Sequence, residues 1–293
     1  MLNRGLLRGA AFNTSFGSTM VLQQQPAKAC VYGTIDGSAA TVKISSADGD
    51  AAFEAYEVAA EITAGSGAFK LFKGCLAPNA AGGDFTVTAT CTGCTNTTTA
   101  TLEHVTFGDV WYCGGQSNMA LPLSHTLSRN ISRDAIAGGK YGNLRIHGMA
   151  GNMNPFQPWA TLKAALADRP ASAAEAEAAG KPGCAPGTCD SDTSKLMGFS
   201  STCYYFGESL SDELAKGGAP PPPIGLVHTA WGGSTIEQWL TNETIASCKN
   251  ASISGSNQEW HDQRVMPYIG MTVKGWVWCE SSLSAAAGRS PFS

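Results

Sequence analysis

The sequence predicts an α/β fold with a three-layer parallel sheet over residues 105–280, preceded by a small all-β sandwich over 13–104. Three observations carry this. Residues 105–113 form a β-branched and aromatic run that breaks into Gly114-Gly115, as a strand does on entering a tight turn. After it, strand-like and helix-like segments alternate, which implies parallel strands joined by helical crossovers. Before it, short stretches alternate apolar and polar residues between turn residues, the pattern of a small sandwich.

In chain order, residues 1–12 contain arginines but no uninterrupted apolar core of the roughly 7–15 residues a secretory leader needs, and read as an unstructured start. In the β region, Val42 and Ile44 alternate with Thr41, Lys43 and Ser45, and Phe85, Val87 and Ala89 alternate with threonines. Asp36-Gly37 and residues 80–84 supply turns. The first α/β strand leads into Gly114. Residues 164–193, rich in Ala, Gly and Pro, read as a surface insertion with a short helix. A helix follows Ser201, with Cys203, Phe206, Leu210 and Leu214 spaced along one face. Gly217-Gly218 and prolines 220–223 stop it. Residues 224–228 read as a buried strand, Thr235 as the cap of a short helix over 236–239, and residues 273–278 as a later strand. Residues 281–293 read as a disordered tail.

Composition narrows the function classes. Charged residues make up 14% of the chain and the net charge is −4, so neither nucleic acid nor an anionic membrane is an expected partner. No apolar stretch approaches the ~20 residues of a membrane span. The ten cysteines form no set with zinc-site spacing, and neither a metal nor a cofactor is expected. Cys91 and Cys94 follow a strand-like run and read as a disulfide or two inert thiols; Cys184 and Cys189 lie in a Gly/Pro loop suited to a local bridge. Five sequons, at Asn13, Asn96, Asn130, Asn242 and Asn250, together with the cysteine content, suit a secreted, secretory or lysosomal glycoprotein; with no leader visible, either the true start lies upstream, the favoured reading, or the protein stays inside the cell.

The candidate chemistry centres on Gly114-Gly-Gln-Ser-Asn-Met119. A serine just past a strand-ending turn stands at the sheet edge where open α/β folds bind ligands. Its freed backbone N–H groups suit a developing oxyanion. Ser117 is therefore a candidate nucleophile, the competing reading being a helix cap. Gly232-Gly233, after the 224–228 strand, are candidate second donors, because a Cβ would obstruct close approach of an ester; an ordinary strand-to-helix turn is the alternative. Gln116, Asn118 and Glu237 are candidate cleft residues, Glu237 also a brace for its loop. His125 and His228 are candidate bases, each also suited to a structural role. His261 and Asp262, adjacent in sequence, would point apart on a strand and form no ready dyad.

Four stretches in order resemble the sialate O-acetylesterase family of SGNH hydrolases over about residues 13–280. They are Met20-Val-Leu-Gln-Gln-Gln-Pro-Ala-Lys-Ala-Cys-Val-Tyr-Gly33, Gly108-Asp-Val-Trp-Tyr-Cys-Gly-Gly-Gln-Ser-Asn-Met119, Ile224-Gly-Leu-Val-His-Thr-Ala-Trp-Gly-Gly-Ser-Thr-Ile-Glu-Gln-Trp239 and Met271-Thr-Val-Lys-Gly-Trp-Val-Trp278. The resemblance implies an SGNH-type, flavodoxin-like catalytic domain incomplete at its C-terminus, behind a β-sandwich domain. It implies hydrolysis of O-acetyl esters on sugars or glycans, with Ser117 as nucleophile and Ser117, Gly232 and Gly233 forming the oxyanion hole. It breaks at or just after Glu280, and Ser284 stands about where the family carries its oxyanion-hole asparagine. The family's Asp-x-x-His, source of its catalytic base, does not occur in the sequence. A serine hydrolase without its triad keeps only roughly 10³–10⁴-fold catalysis over water. The resemblance thus predicts a truncated member that is a weak or inactive esterase, or a non-catalytic glycan-binding relic, with Trp111, Trp231 and Trp239 as candidate stacking surfaces and core packing as the default role of each.

Overall fold

A computed structural model of the chain describes residues 9–67, 69–148, 157–168, 194–248 and 256–279. Most of the expected 164–193 insertion, the expected tail, Glu280, Ser284, Cys184 and Cys189 lie outside the described residues. The chain divides into two compact units. One comprises Met1–Val110, Pro222–Gly225 and Gly270–Lys274; the other comprises Trp111–Pro221, Leu226–Ile269 and Gly275–Ser293.

The first unit holds strands β1 (Ala11–Phe12), β2 (Val21–Gln23), β3 (Cys30–Ile35), β4 (Ala39–Ser46), β5 (Tyr56–Ala59), β6 (Glu61–Ala64), β7 (Lys70–Cys75), β8 (Gly82–Thr92) and the first part of β9 (Thr99–Gly115). β1, β3, β7 and β6 form one antiparallel sheet. β9, β8, β4 and β5 form a second antiparallel run, with β2 parallel on β9. The expected alternation appears as burial: Val42, Ile44, Phe85, Val87 and Ala89 are buried while Lys43 is exposed. Each such aliphatic side chain contributes about 1.5–3 kcal/mol of transfer free energy. β4 packs over β7, where a Cβ on Gly74 would stand 2.5 Å from Val42 Cγ2. Disulfides Cys30–Cys75 and Cys91–Cys94 cross-link this unit. The buried carboxylate of Asp109 accepts from Gln23 and Gln24 at 3.1 and 2.9 Å, which gives it a structural explanation. The expected boundary at 104/105 falls inside β9, which runs unbroken from Thr99 to Gly115.

The second unit holds the end of β9, α1 (Ser117–Ala120), α2 (Arg129–Ala137), β10 (Leu144–Gly148), β11 (Gln157–Thr161), α3 (Leu162–Ala167), α4 (Ser201–Ala215), β12 (Ile224–His228) from Leu226 onward, α5 (Asn242–Ser247) and β13 (Gly275–Cys279). The strands lie in the order β11-β10-β12-β9, and β13 pairs with β9 in parallel, Gly275 opposite Trp111 and Cys279 opposite Gly115. β12 is buried at every position, as its apolar run requires of a central strand.

Two expectations are corrected here. The sheet is mixed rather than parallel: β11 runs antiparallel to β10. The link from Gly148 to Gln157 is shorter than the roughly dozen residues that a parallel crossover needs. Helix α4 also buries a different face from the expected one. Ser201, Cys203, Tyr204, Gly207 and Ser211 are buried, while Leu214 is exposed. Small residues let the helix approach β12 closely: a Cβ on Gly207 would stand 2.6 Å from Leu226. Apolar periodicity weighs leucine above glycine and serine, and so points to the wrong face.

Candidate active site

Ser117 is the first residue of α1, directly beyond the end of β9, and it is exposed. The sequence breaks the strand there for a steric reason. Gly115 has φ +130, and a Cβ on it would stand 2.1 Å from the carbonyl oxygen of Cys279. The chain can therefore turn against β13 only with glycine at this position. Gln116 then donates its backbone N–H to the Cys279 carbonyl at 2.9 Å.

A four-residue helix needs outside support, and α4 supplies it. Ser200, the residue capping α4, donates to the Met119 carbonyl at 2.6 Å while accepting from Cys203 N–H. Thr202 donates to the Asn118 carbonyl at 2.9 Å. The disulfide Cys113–Cys203 fixes the end of β9 to the start of α4.

The Gly232-Gly233 turn lies beside the Ser117 turn. Trp231 N–H donates to the Gly115 carbonyl at 2.9 Å, and the side-chain amide of Gln116 donates to the Ser234 carbonyl at 2.9 Å. Gly233 is exposed, at φ +80, with open space where a Cβ would stand. Ser234 braces the turn from below, its hydroxyl donating to the Trp231 carbonyl at 2.8 Å and accepting from Trp239 Nε1 at 2.9 Å. Gln238 reaches back to the N–H of Thr235 at 2.9 Å, so Thr235 begins the expected short helix, here a 3₁₀ turn over Ile236–Trp239.

The other expected residues divide. Asn118 is exposed next to Ser117. Gln116 is buried, and its side-chain amide, donating to the Ser234 carbonyl, braces the two turns against each other. Glu237 is half-buried, its backbone carbonyl accepting from Gln258 N–H at 3.1 Å. Trp239 is buried and hydrogen-bonded, which removes it as a stacking surface. Trp111 is half-buried, edge-on to Phe206. Trp231 is half-buried and stacks on Trp260 at 4.3 Å between ring centroids.

The histidines take separate places. His228 is completely buried, edge-on to Phe199. His125 is exposed on a 3₁₀ turn beside Ser124. His261 and Asp262 lie on a helical turn instead of a strand and do pair, Nδ1 to Oδ1, at 3.1 Å. The expectation that they point apart fails because a helical backbone turns consecutive side chains by only about 100°. Among the described residues no histidine is hydrogen-bonded to Ser117. His147, not singled out by the sequence, is buried at the end of β10 and stacks on Trp159 at 5.0 Å. Desolvation, with the nearby Lys195 charge, pulls its pKa down to about 3. Among the described residues no three His, Cys, Asp or Glu side chains gather as metal ligands, and no helix is long and apolar enough to cross a membrane.

No protein-family model matches the chain. Sialate O-acetylesterase of Homo sapiens is 29% identical over 282 residues, covering 92% of this chain and 48% of that protein. The Rattus norvegicus sialate O-acetylesterase is 27% identical over 247 residues, covering 84% and 40%. Among solved structures, a carbohydrate acetylesterase from Xanthomonas citri superposes with a TM-score of 0.58 at 21% identity, over 92% of this chain and 51% of that one, which shows a shared fold. The chain spans about half the length of the curated relatives it matches. Along most of its length the chain is similar to relatives of one name, the sialate O-acetylesterases.

Proposed function

We propose that this chain carries the acyl-transfer centre of a carbohydrate O-acetylesterase on an SGNH-type α/β domain, with residues 13–104 as an accessory sandwich domain. The substrate class is an O-acetyl ester on a sialic acid or another glycan sugar, and the compartment is the secretory pathway or outside the cell. Ser117 Oγ attacks the acetyl carbonyl, its proton passing through water to the departing sugar oxygen. The backbone N–H groups of Ser117 and of the Gly232-Gly233 turn receive the oxyanion, an arrangement whose removal, donor by donor, costs ~10²–10³ in rate. The alcohol of the sugar leaves, and water then hydrolyses the acetyl-serine. The observation that carries this reading is the direct link between the two turns, through Gly115 with Trp231 and Gln116 with Ser234.

A second reading is a glycan-binding chain without turnover. It draws support from the absence, among the described residues, of a histidine hydrogen-bonded to Ser117. Acetate release from an O-acetylated sialic acid separates the two. Catalysis predicts release that Ser117→Ala abolishes. Saturable sugar binding with release equal in wild type and Ser117→Ala supports binding alone.

A further inference from the structure

Among the described residues, Arg264 is the largest side chain withdrawn from solvent, at 1% exposure. Its guanidinium lies over the rings of Trp231 and Trp260, 4.4 and 4.9 Å from their centroids. One Nη donates to two successive backbone carbonyls, Thr229 at 3.1 Å and Ala230 at 3.3 Å. These residues immediately precede the Trp231-Gly232-Gly233 turn. The backbone carbonyl of Arg264 accepts from the Tyr112 hydroxyl at 2.9 Å, on the strand that delivers Ser117.

We infer that Arg264 is a positioning residue that holds the Gly232-Gly233 turn in register with the end of β9. The inference rests on the acyl-transfer reading for its consequence in rate. Burying a cation carries a desolvation penalty. Burial, partly offset by Tyr112, Tyr268 and Glu259, draws the Arg264 pKa down from its ordinary value to about 10. Volume alone would be met by methionine without that penalty. A lysine ammonium presents a point charge, neither planar enough to lie flat on an indole nor delocalised over a fork. Only the guanidinium reaches both tryptophan rings while bonding the two carbonyls. Its contact with the Trp231 ring holds the first residue of the turn, and its donors hold the two residues before it. The direction of the turn's N–H groups is thereby set from behind.

The test uses the full chain and the variants Arg264→Met and Arg264→Lys. Each is checked for folding by thermal melting, followed by amide hydrogen exchange across residues 229–236 and by the rate at which a fluorophosphonate labels Ser117. We expect exchange across 229–236 to quicken about tenfold with β4 unchanged. Labelling slows about 10–100-fold, the scale of an ångström misplacement. Arg264→Lys restores only a minor part of either. Exchange across 229–236 at the wild-type rate in a folded Arg264→Met protein overturns the inference. If that variant does not fold, unchanged exchange in Arg264→Lys overturns it equally. A wild type whose Ser117 resists the label defeats the acyl-transfer reading instead, and the exchange result then decides the positioning role alone.

Discussion

The side-chain amide of Gln116 donates to the backbone carbonyl of Ser234 at 2.9 Å. The residue before the candidate nucleophile is thereby tied to the residue after the candidate oxyanion glycines. Two turns that are far apart in sequence become one local structure, and the donor in this bond is a residue that looks like substrate contact from sequence alone.

Gln116→Glu keeps the shape of that side chain and loses the donor. The Ser234 carbonyl then lies buried without its partner, a loss of about 1–3 kcal/mol. Gln116→Ala loses the same bond and also leaves a void. Both variants should melt below wild type, and both should slow Ser117 labelling about tenfold or more. Melting curves and labelling rates measured on the same preparations check this.

Glycine substitutions should separate by environment. Gly115→Ala combines φ +130 with a Cβ placed 2.1 Å from the Cys279 carbonyl, so β13 or the turn must move. Backbone strain of about 1–3 kcal/mol adds to that displacement, and the variant should lose both thermal stability and labelling. Gly233→Ala has φ +80 but open space. It should melt within a few degrees of wild type, with only the labelling rate changed. Parallel melting and labelling of the pair test the contrast.

The Cys113–Cys203 bridge joins β9 to the helix that supports α1. Replacing both cysteines by serine should remove about 2–5 kcal/mol of stability. Denaturant midpoints compared under oxidising conditions measure it. Under reducing conditions the difference between wild type and variant should shrink.

His147 gives the chain an acid-sensitive core. Its folded-state pKa is depressed to about 3, whereas the unfolded side chain titrates near the ordinary value of 6.5. Between those values the unfolded state binds the additional proton, so stability rises with pH. The contribution is fully present above about pH 6.5 and is lost as pH falls toward 3. The limiting slope is about 1.4 kcal/mol per pH unit. His147→Gln should flatten the pH dependence of the unfolding free energy by about one proton between pH 4 and 6, read from denaturant melts across that range.

Much of this was legible in the sequence for identifiable reasons. Alternation in β4 and β8, the apolar run of β12 and the glycines ending β9 each reflect a single local constraint, and the structure shows each element in place. The buried face of α4 was not legible, because close approach depends on Gly207 and Ser211, residues without hydrophobic signal. The pairing of His261 with Asp262 was missed because a strand was assumed where the backbone is helical. Arg264 carried no periodic or motif signal. Its place follows from Trp231, Trp260 and two carbonyls that tertiary structure alone brings together.

The central claim is that Ser117 is a nucleophile served by the Gly232-Gly233 turn. Incubation with a fluorophosphonate, followed by peptide mapping of the adduct, tests it directly. The account predicts one adduct, located on Ser117, absent in Ser117→Ala and slowed in Gln116→Glu. A folded wild-type chain with no adduct, or with an adduct elsewhere that persists in Ser117→Ala, would contradict it.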